Sequence, residues 1–341
     1  MNQKSADGKT VLITGATGFI GGHVVRANLA RGRRVKALVL PGDAGGQELA
    51  AGGVEVITGD VRDLASVKRA VTGVDLVFHC AAIVTDWAPR RLFWEVTAGG
   101  TENVCRAALE AGVGRLVDIS TNDVFGLSES SVLAETSPMS PWGEPYSDSK
   151  IDAETIVWRY HQRGLPVTMV YPCWVFGESD RTFVPLLADA ILKRELIFWR
   201  KDVLVWPTYV LNLVDLLLLI AEDDRALGQG YLVHDGESIT FQEFSAAVAG
   251  ALEVKPIKTH IPYFAAYGAA LVLETSWRLF RAKTRPLLTT YTVKNLGSRL
   301  RFSTAKVERE LGWRPPYTFQ EGLARTLAWL KTLDRSTLKQ K

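Results

Sequence analysis

Short apolar runs alternate with helix-patterned segments through the first half of the chain. The runs are TVLITG (10–15), RVKALVL (34–40), VEVITGD (54–60), DLVFHCAA (75–82), RLVDIS (115–120) and PVTMVY (166–171). They are apolar nearly throughout, as expected of strands covered by helices on both faces. The segments between them predict helices over 19–31, 64–71 and 90–111, with another opening at Tyr146. Strands alternating with helices in this order imply an α/β fold built on a doubly wound parallel sheet. After Gly177 helices, short strands and prolines mix. Residues 1–177 are therefore expected to form the sheet domain. Residues 178–341 are expected to form a smaller, mostly helical substrate lobe, interleaved with the end of the sheet. No internal repeat or low-complexity tract is present.

Two later apolar stretches raise the question of a membrane. LVDLLLLIA (213–221) is too short to span one and runs into Glu222, Asp223 and Asp224, so it reads as a buried helix. IPYFAAYGAALVLE (261–274) also falls short of the ~20 apolar residues a span requires. Arg278, Arg281, Lys283 and Arg285 follow it. The preferred reading is a helix packed over an apolar substrate pocket, and the alternative is a helix lying in a bilayer surface.

Composition narrows the classes. The 341 residues, 47% hydrophobic and 23% charged, suit one large domain or two unequal ones with a real core. A net charge of +3 with no outstanding run of like charges leaves no electrostatic footprint for nucleic acid. Cys80, Cys105 and Cys173 fit neither a metal-site spacing nor a disulfide framework, and the polar start MNQKSADGK lacks the apolar core of a signal peptide. A reduced, cytoplasmic setting and no metal are expected.

The first strand runs into GATGFIG, with Gly15, Gly18 and Gly21. At a strand-to-helix turn such glycines allow the tight bend, the approach of a pyrophosphate to the backbone, and close packing of helix on strand. The pyrophosphate then rests on the helix N-terminus. This places a dinucleotide site, the Rossmann arrangement, at the first turn. Asp60, ending the third strand, is placed to hydrogen-bond an adenine edge, and Asp63 is expected to cap the next helix. Small residues at 80–82 leave room for a ribose. Farther on, GEPYSDSKIDAE places Tyr146 one helical turn before Lys150, on the same face.

Together the GxxGxxG turn, Asp60, the small residues after strand four and Tyr-Ser-Asp-Ser-Lys resemble the extended short-chain dehydrogenases/reductases, a likeness that covers nearly the whole chain. It includes STNDVFG after strand five and LGWRPPYTFQEGL near the C-terminus. The resemblance implies Tyr146, Lys150 and Thr121 as the catalytic group, with Ser120 as the neighbour that competes with Thr121. A phenol is a poor base at neutral pH, its ordinary pKa being about 10. A neighbouring ammonium favours the phenolate, so Tyr146 could exchange a proton with a substrate oxygen while hydride moves. Lys150 would also hold the nicotinamide ribose. For the cofactor the resemblance further implies Thr17, Phe19 and Ile20 at the turn, then Val61, Ala81 and Ala82, and Pro172 and Val175 after strand six. Substrate contacts would come from Thr85, Asn122, Asp123 and Trp174. Thr97 departs from the pattern, since that position is often Asn.

Among extended members, dehydratases carry Thr-Asp-Glu where this chain has Thr121, Asn122 and Asp123. An amide cannot donate the proton that dehydration needs. Trp174 stands where sugar-nucleotide enzymes tend to place an Asn. Trp87, Phe93, Trp94, Phe125, Trp142, Trp174, Phe198, Trp199 and Trp206 fall in segments expected to border the cleft or the smaller lobe. They suggest a large apolar pocket. Residues 261–289 are similar to the matching region of 3β-hydroxysteroid dehydrogenases, sterol-4α-carboxylate dehydrogenases and 2-alkyl-3-oxoalkanoate reductases. The first expectation is interconversion of a 3β-hydroxyl and a ketone on a sterol-like substrate. Reduction of long-chain 2-alkyl-3-oxoalkanoates follows closely, then a sugar-nucleotide epimerase or a non-catalytic NAD(P)-binding regulator. The cofactor is NAD or NADP, with a lean to NAD. Leu40 ends strand two, Asp43 comes late but could fold back, and Arg33, Arg34 and Lys36 lie nearby. The resemblance also implies a homodimer through the helices at 90–111 and 146–163.

Overall fold

The computed structural model describes residues 8–200, 203–280, 282, 284–335 and 338. Seven parallel strands form the central sheet: β1 (Thr10–Thr14), β2 (Arg34–Val39), β3 (Glu55–Thr58), β4 (Leu76–His79), β5 (Arg115–Ile119), β6 (Val167–Pro172) and β7 (Gln229–Val233). Their order across the sheet is β7-β6-β5-β4-β1-β2-β3. The winding reverses between β1 and β4, and ligands of such sheets bind at the carboxyl ends of the strands flanking that reversal. The α/β, doubly wound expectation holds. The seventh strand was not expected; it comes from the second half of the chain and pairs with β6, Tyr231 beside Val170.

Strand alternation builds two cores. Val11 and Ile13 of β1 join the core formed with α1 (Phe19–Ala30), while Leu12 between them faces the opposite layer. The first layer is completed by the Leu-rich helix at Val210–Ile220, buried as its sequence suggested. The opposite layer holds α2 (Leu64–Val71), α3 (Gly99–Glu110) and α4 (Pro145–Gln162). Asp63 caps α2 through the backbone N–H groups of Ala65 and Ser66, both at 3.1 Å. The helix expected at 90–111 is not continuous. A short α-turn at Arg90–Phe93 widens into a π-turn at Trp94–Ala98 before α3 begins. In that wider turn the Thr97 hydroxyl accepts from the backbone N–H of Ile83, at 3.3 Å. Behind it Gly100 is packed on Val61, whose methyl would lie 2.7 Å from an added Cβ.

The second half adds a third core around Phe176, Tyr209, Phe244 and Phe319. It also adds two consecutive helices, α5 (Tyr263–Leu279) and α6 (Thr290–Asn295). These two pack around a small cluster of Trp199, Ala266, Ala270 and Val293. A buried latch ties them to the sheet. The Arg285 guanidinium and the hydroxyls of Thr289 and Thr292 all donate to Asp86, in the loop after β4. Among the described residues no helix is long and apolar enough to cross a membrane.

Candidate active site

The glycine turn sits at the carboxyl end of β1. Gly15 has φ +67°, and an added Cβ there would lie 2.9 Å from the Ala81 nitrogen. A Cβ on Gly21 would lie 2.1 Å from the Gly15 carbonyl oxygen. The turn is thus closed to side chains on both sides and lies against the exit of β4, while at the start of α1 Phe19 packs on the third core and Ile20 on the first. The α1 N-terminus has no side-chain cap and no acid in its first turn. An uncapped N-terminus behind a glycine cradle suits a pyrophosphate, so the residues present fit a dinucleotide.

At the end of β2, Asp43 does fold back. Its carboxylate accepts from the Thr17 hydroxyl at 2.7 Å and from the Gly45 nitrogen at 2.9 Å. Arg33, Arg34 and Lys36 are engaged toward the amino end of β2, away from the carboxyl ends of the strands. Arg33 donates to Asn28 and Glu222, Arg34 to the Gly8 carbonyl, and Lys36 to the Thr72 carbonyl. After β3, both Asp60 oxygens accept from Arg62, through its backbone nitrogen and guanidinium. That bond holds the Asp60 carboxyl below its usual range. Val61 is buried beside it, and its carbonyl accepts from Asn103 at 2.9 Å. At the exit of β4 the Ala81 nitrogen donates to Thr14, and Ala82 lies partly buried beside it.

The structure brings Thr121, Tyr146 and Lys150 together at the end of β5. Pro145 opens α4, where a missing N–H costs nothing, so Tyr146 lies in the first turn and Lys150 one turn on. Lys150 donates to the Ile119 carbonyl at 2.7 Å. Burial lowers its pKa, while Asp118, Cys80 and Glu154 pull it back up. Burial in turn pushes Asp118 up to about 6. Tyr146 is pushed up, first by burial and then by the Asp123 charge, and a hydrogen bond with Thr121 opposes this. The ammonium was expected to depress the phenol. In this arrangement it is turned to a main-chain carbonyl, and burial prevails. Ser120 faces away, its hydroxyl donating to Glu154 at 3.4 Å.

One further side chain joins this group. Tyr291 of α6 stands edge-on to Tyr146, with ring centres 6.1 Å apart, and stacks on Trp142 at 5.4 Å. Its hydroxyl donates to Asp123 at 2.8 Å. Burial, against that bond, pushes Asp123 up to about 6. No local motif in TTYTVKN announces Tyr291; only tertiary folding delivers it. Asn122 is buried beside Asp123, and the Thr85 hydroxyl accepts from the Trp87 nitrogen at 3.1 Å. Pro172 ends β6, while Val175 lies in the short strand Trp174–Phe176, paired to Thr208. The Trp174 ring packs edge-on to Phe183 at 4.8 Å, within the third core. The aromatic list therefore divides. Trp142 stacks on Tyr291 beside Tyr146, whereas Phe93, Phe125, Phe198 and Trp199 are core residues, filling space between elements. An open polar recess lined by Lys9, Asp75, Arg115 and Glu222 lies at the amino ends of β1, β4 and β5, away from this group.

Residues 11–233 match the NAD dependent epimerase/dehydratase family. The chain belongs to this family. It is 32% identical over 348 residues to the 3 beta-hydroxysteroid dehydrogenase/Delta 5-->4-isomerase of Mycobacterium tuberculosis, covering 95% of this chain and 90% of that protein. It is 29% identical over 327 residues to the 2-alkyl-3-oxoalkanoate reductase of Stenotrophomonas maltophilia, covering 93% and 98%. Among solved structures, the dTDP-glucose 4,6-dehydratase DesIV of Streptomyces venezuelae, with NAD and TYD bound, matches with a TM-score of 0.76. It is 26% identical, over 94% of this chain and 97% of that one. The family and these relatives make the chain an NAD-dependent oxidoreductase. The oxidoreductase thus has the resemblance its turn and its Tyr-Lys pair announced.

Proposed function

We propose that this oxidoreductase interconverts a secondary alcohol and a ketone on a bulky hydrophobic substrate, first of all the 3β-hydroxyl of a sterol-like molecule. The observation that carries the reading is the Tyr146 phenol, set beside Thr121 and walled by Trp142 and Tyr291. Such a wall offers a ring system apolar surface and few polar grips. The relative named as a 3 beta-hydroxysteroid dehydrogenase supports the same substrate class.

In this reading Gly15, Gly18 and Gly21 let the cofactor's pyrophosphate reach the start of α1. Thr17, Phe19 and Ile20 shape that turn, and Asp43 holds the adenosine ribose, favouring NAD. Asp60 and Val61 border the adenine, Ala81 and Ala82 the ribose. Pro172 and Val175 border the nicotinamide end, and Lys150 holds its ribose. When bound, the oxidised nicotinamide accepts the hydride, and its positive charge favours the phenolate. Thr121 donates to the substrate oxygen, and Tyr146 takes the hydroxyl proton from that same oxygen. Thr85, Asn122, Asp123 and Trp174 bound the substrate. Residues 1–177 supply the dinucleotide half and 178–341 mainly the substrate lobe. A homodimer across the helices at 90–111 and 146–163 belongs to the same proposal.

One observation favours a second reading, reduction of a 2-alkyl-3-oxoalkanoate. The relative named as a 2-alkyl-3-oxoalkanoate reductase supports that class of ketone, and burial, by raising the Tyr146 phenol, suits a group that donates to a carbonyl. Dehydration is not proposed, because Asn122 carries no acid proton. The discriminating experiment supplies a 3β-hydroxysteroid with NAD, and separately a long-chain 2-alkyl-3-oxo acid with NADH, and identifies products by mass spectrometry. A 3-ketosteroid formed at the faster rate is expected. A 3-hydroxy acid formed alone would replace the first reading with the second.

A further inference from the structure

Helix α5 turns most of its large side chains outward. Only Ala266 and Ala270 along it are buried. Phe264 is 78% exposed, Val272 67%, Leu279 76%, and Phe280, just past the helix end, 80%. Positions 264, 268, 271, 272, 275 and 279 recur at helical spacing, so Phe264, Gly268, Leu271, Val272, Thr275 and Leu279 share one face. A contiguous apolar face of this kind marks an interaction surface.

The charge around it is one-sided. Residues 254–307 carry ten Lys and Arg and a single carboxylate, Glu274; Arg285 and Lys294 are paired with Asp86 and Glu144, while Lys255, Lys258 and Arg278 are exposed. That carboxylate is turned inward, accepting from the Thr290 nitrogen at 2.8 Å. Arg278, at the end of the face, is exposed and lies over the Trp87 ring. Arg281 and Lys283, expected to flank the helix, lie outside the described residues and count here by sequence alone.

We propose that this face docks on a membrane surface containing anionic lipid, with α5 lying in the interface. An apolar stripe flanked by cations and free of outward carboxylates complements acyl chains below anionic headgroups. A second copy is a poorer occupant. A twofold interface would set two cation-rich patches together with no outward carboxylate to balance them. The helix, 17 residues, is not long and apolar enough to cross a bilayer. Docking here would place lipid one helix away from the catalytic group, because α5 holds α6 through Glu274 and α6 carries Tyr291.

The test is co-sedimentation of the purified full chain with vesicles of phosphatidylcholine, with and without phosphatidylglycerol. A double variant, Val272→Glu with Leu279→Glu, runs beside it. Both positions are exposed and outside the catalytic group, and thermal unfolding checks that the variant folds. The wild type is expected to bind the anionic vesicles, less so as salt rises, and the variant to bind at least roughly ten-fold less. NAD binding is expected to be the same in both. Equal sedimentation of the two proteins, or none of the wild type, overturns the proposal. So does a wild-type dimer that the variant dissociates without any vesicle binding, which would assign the face to a second copy.

Discussion

Asp123 helps to set the protonation of Tyr146. Each is pushed up by burial, and the Asp123 charge raises the phenol further. A phenol with a raised pKa stays protonated at neutral pH, so alcohol oxidation, which needs the proton gone, should accelerate as pH rises. Asp123→Asn removes the charge but keeps an oxygen for the Tyr291 hydroxyl. The rising limb of kcat/KM for oxidation is then expected to move to lower pH. A profile that stays in place would mean that Asp123 does not govern the phenol. Legibility in the sequence differs by residue at this scale. Tyr146, Lys150 and the glycines announce themselves because their chemistry fixes their spacing along one turn or one helix. Tyr291 meets Asp123 across 168 positions, and no local pattern encodes that meeting.

At the scale of elements, the glycine turn is the most constrained piece of backbone. Gly21→Ala would drive a Cβ into the Gly15 carbonyl, and overpacking of this kind costs roughly 1–3 kcal/mol. A lower melting temperature and at least about ten-fold weaker NAD binding by calorimetry are expected; wild-type affinity would show that the turn yields freely. Asp43→Ser removes the carboxylate beside the turn while leaving a small polar group for Thr17. Its KM for NAD is expected to rise while that for NADP falls, and unchanged values for both would locate the ribose elsewhere. The first six strands were legible because each is apolar and lies between helical patterns. β7 was not, since it follows a lobe whose mixed elements give no βα rhythm. The π-turn at Trp94–Ala98 was also hidden, because hydrophobic periodicity does not register one extra residue per turn.

Across the whole molecule, the segment leading into α6 is tied to the loop after β4 by the Asp86–Arg285 latch. Burial alone would raise Asp86, but Arg285, Thr289 and Thr292 together hold its carboxyl below the usual range. Its contribution is therefore present above the unfolded pKa of about 4 and is lost as pH falls through the folded value. Asp86→Asn leaves Arg285 without its charge partner, and roughly 2–3 kcal/mol less stability is expected in urea unfolding at pH 7. That difference should shrink in acid; a variant as stable as the wild type at pH 7 would show that the latch contributes nothing. The half of the molecule that carries this latch was the least legible. Its segments are placed by long-range ion pairs and aromatic packing, not by period.

The central claim is that Tyr146 exchanges the proton at an NAD-dependent alcohol site. Its most direct test follows the absorbance of reduced nicotinamide with a 3β-hydroxysteroid and NAD, comparing the wild type with Tyr146→Phe. Growth of signal is expected in the wild type and a loss of roughly 10²–10⁴-fold in the variant, with NAD binding retained. A variant that turns over as fast as the wild type would contradict it.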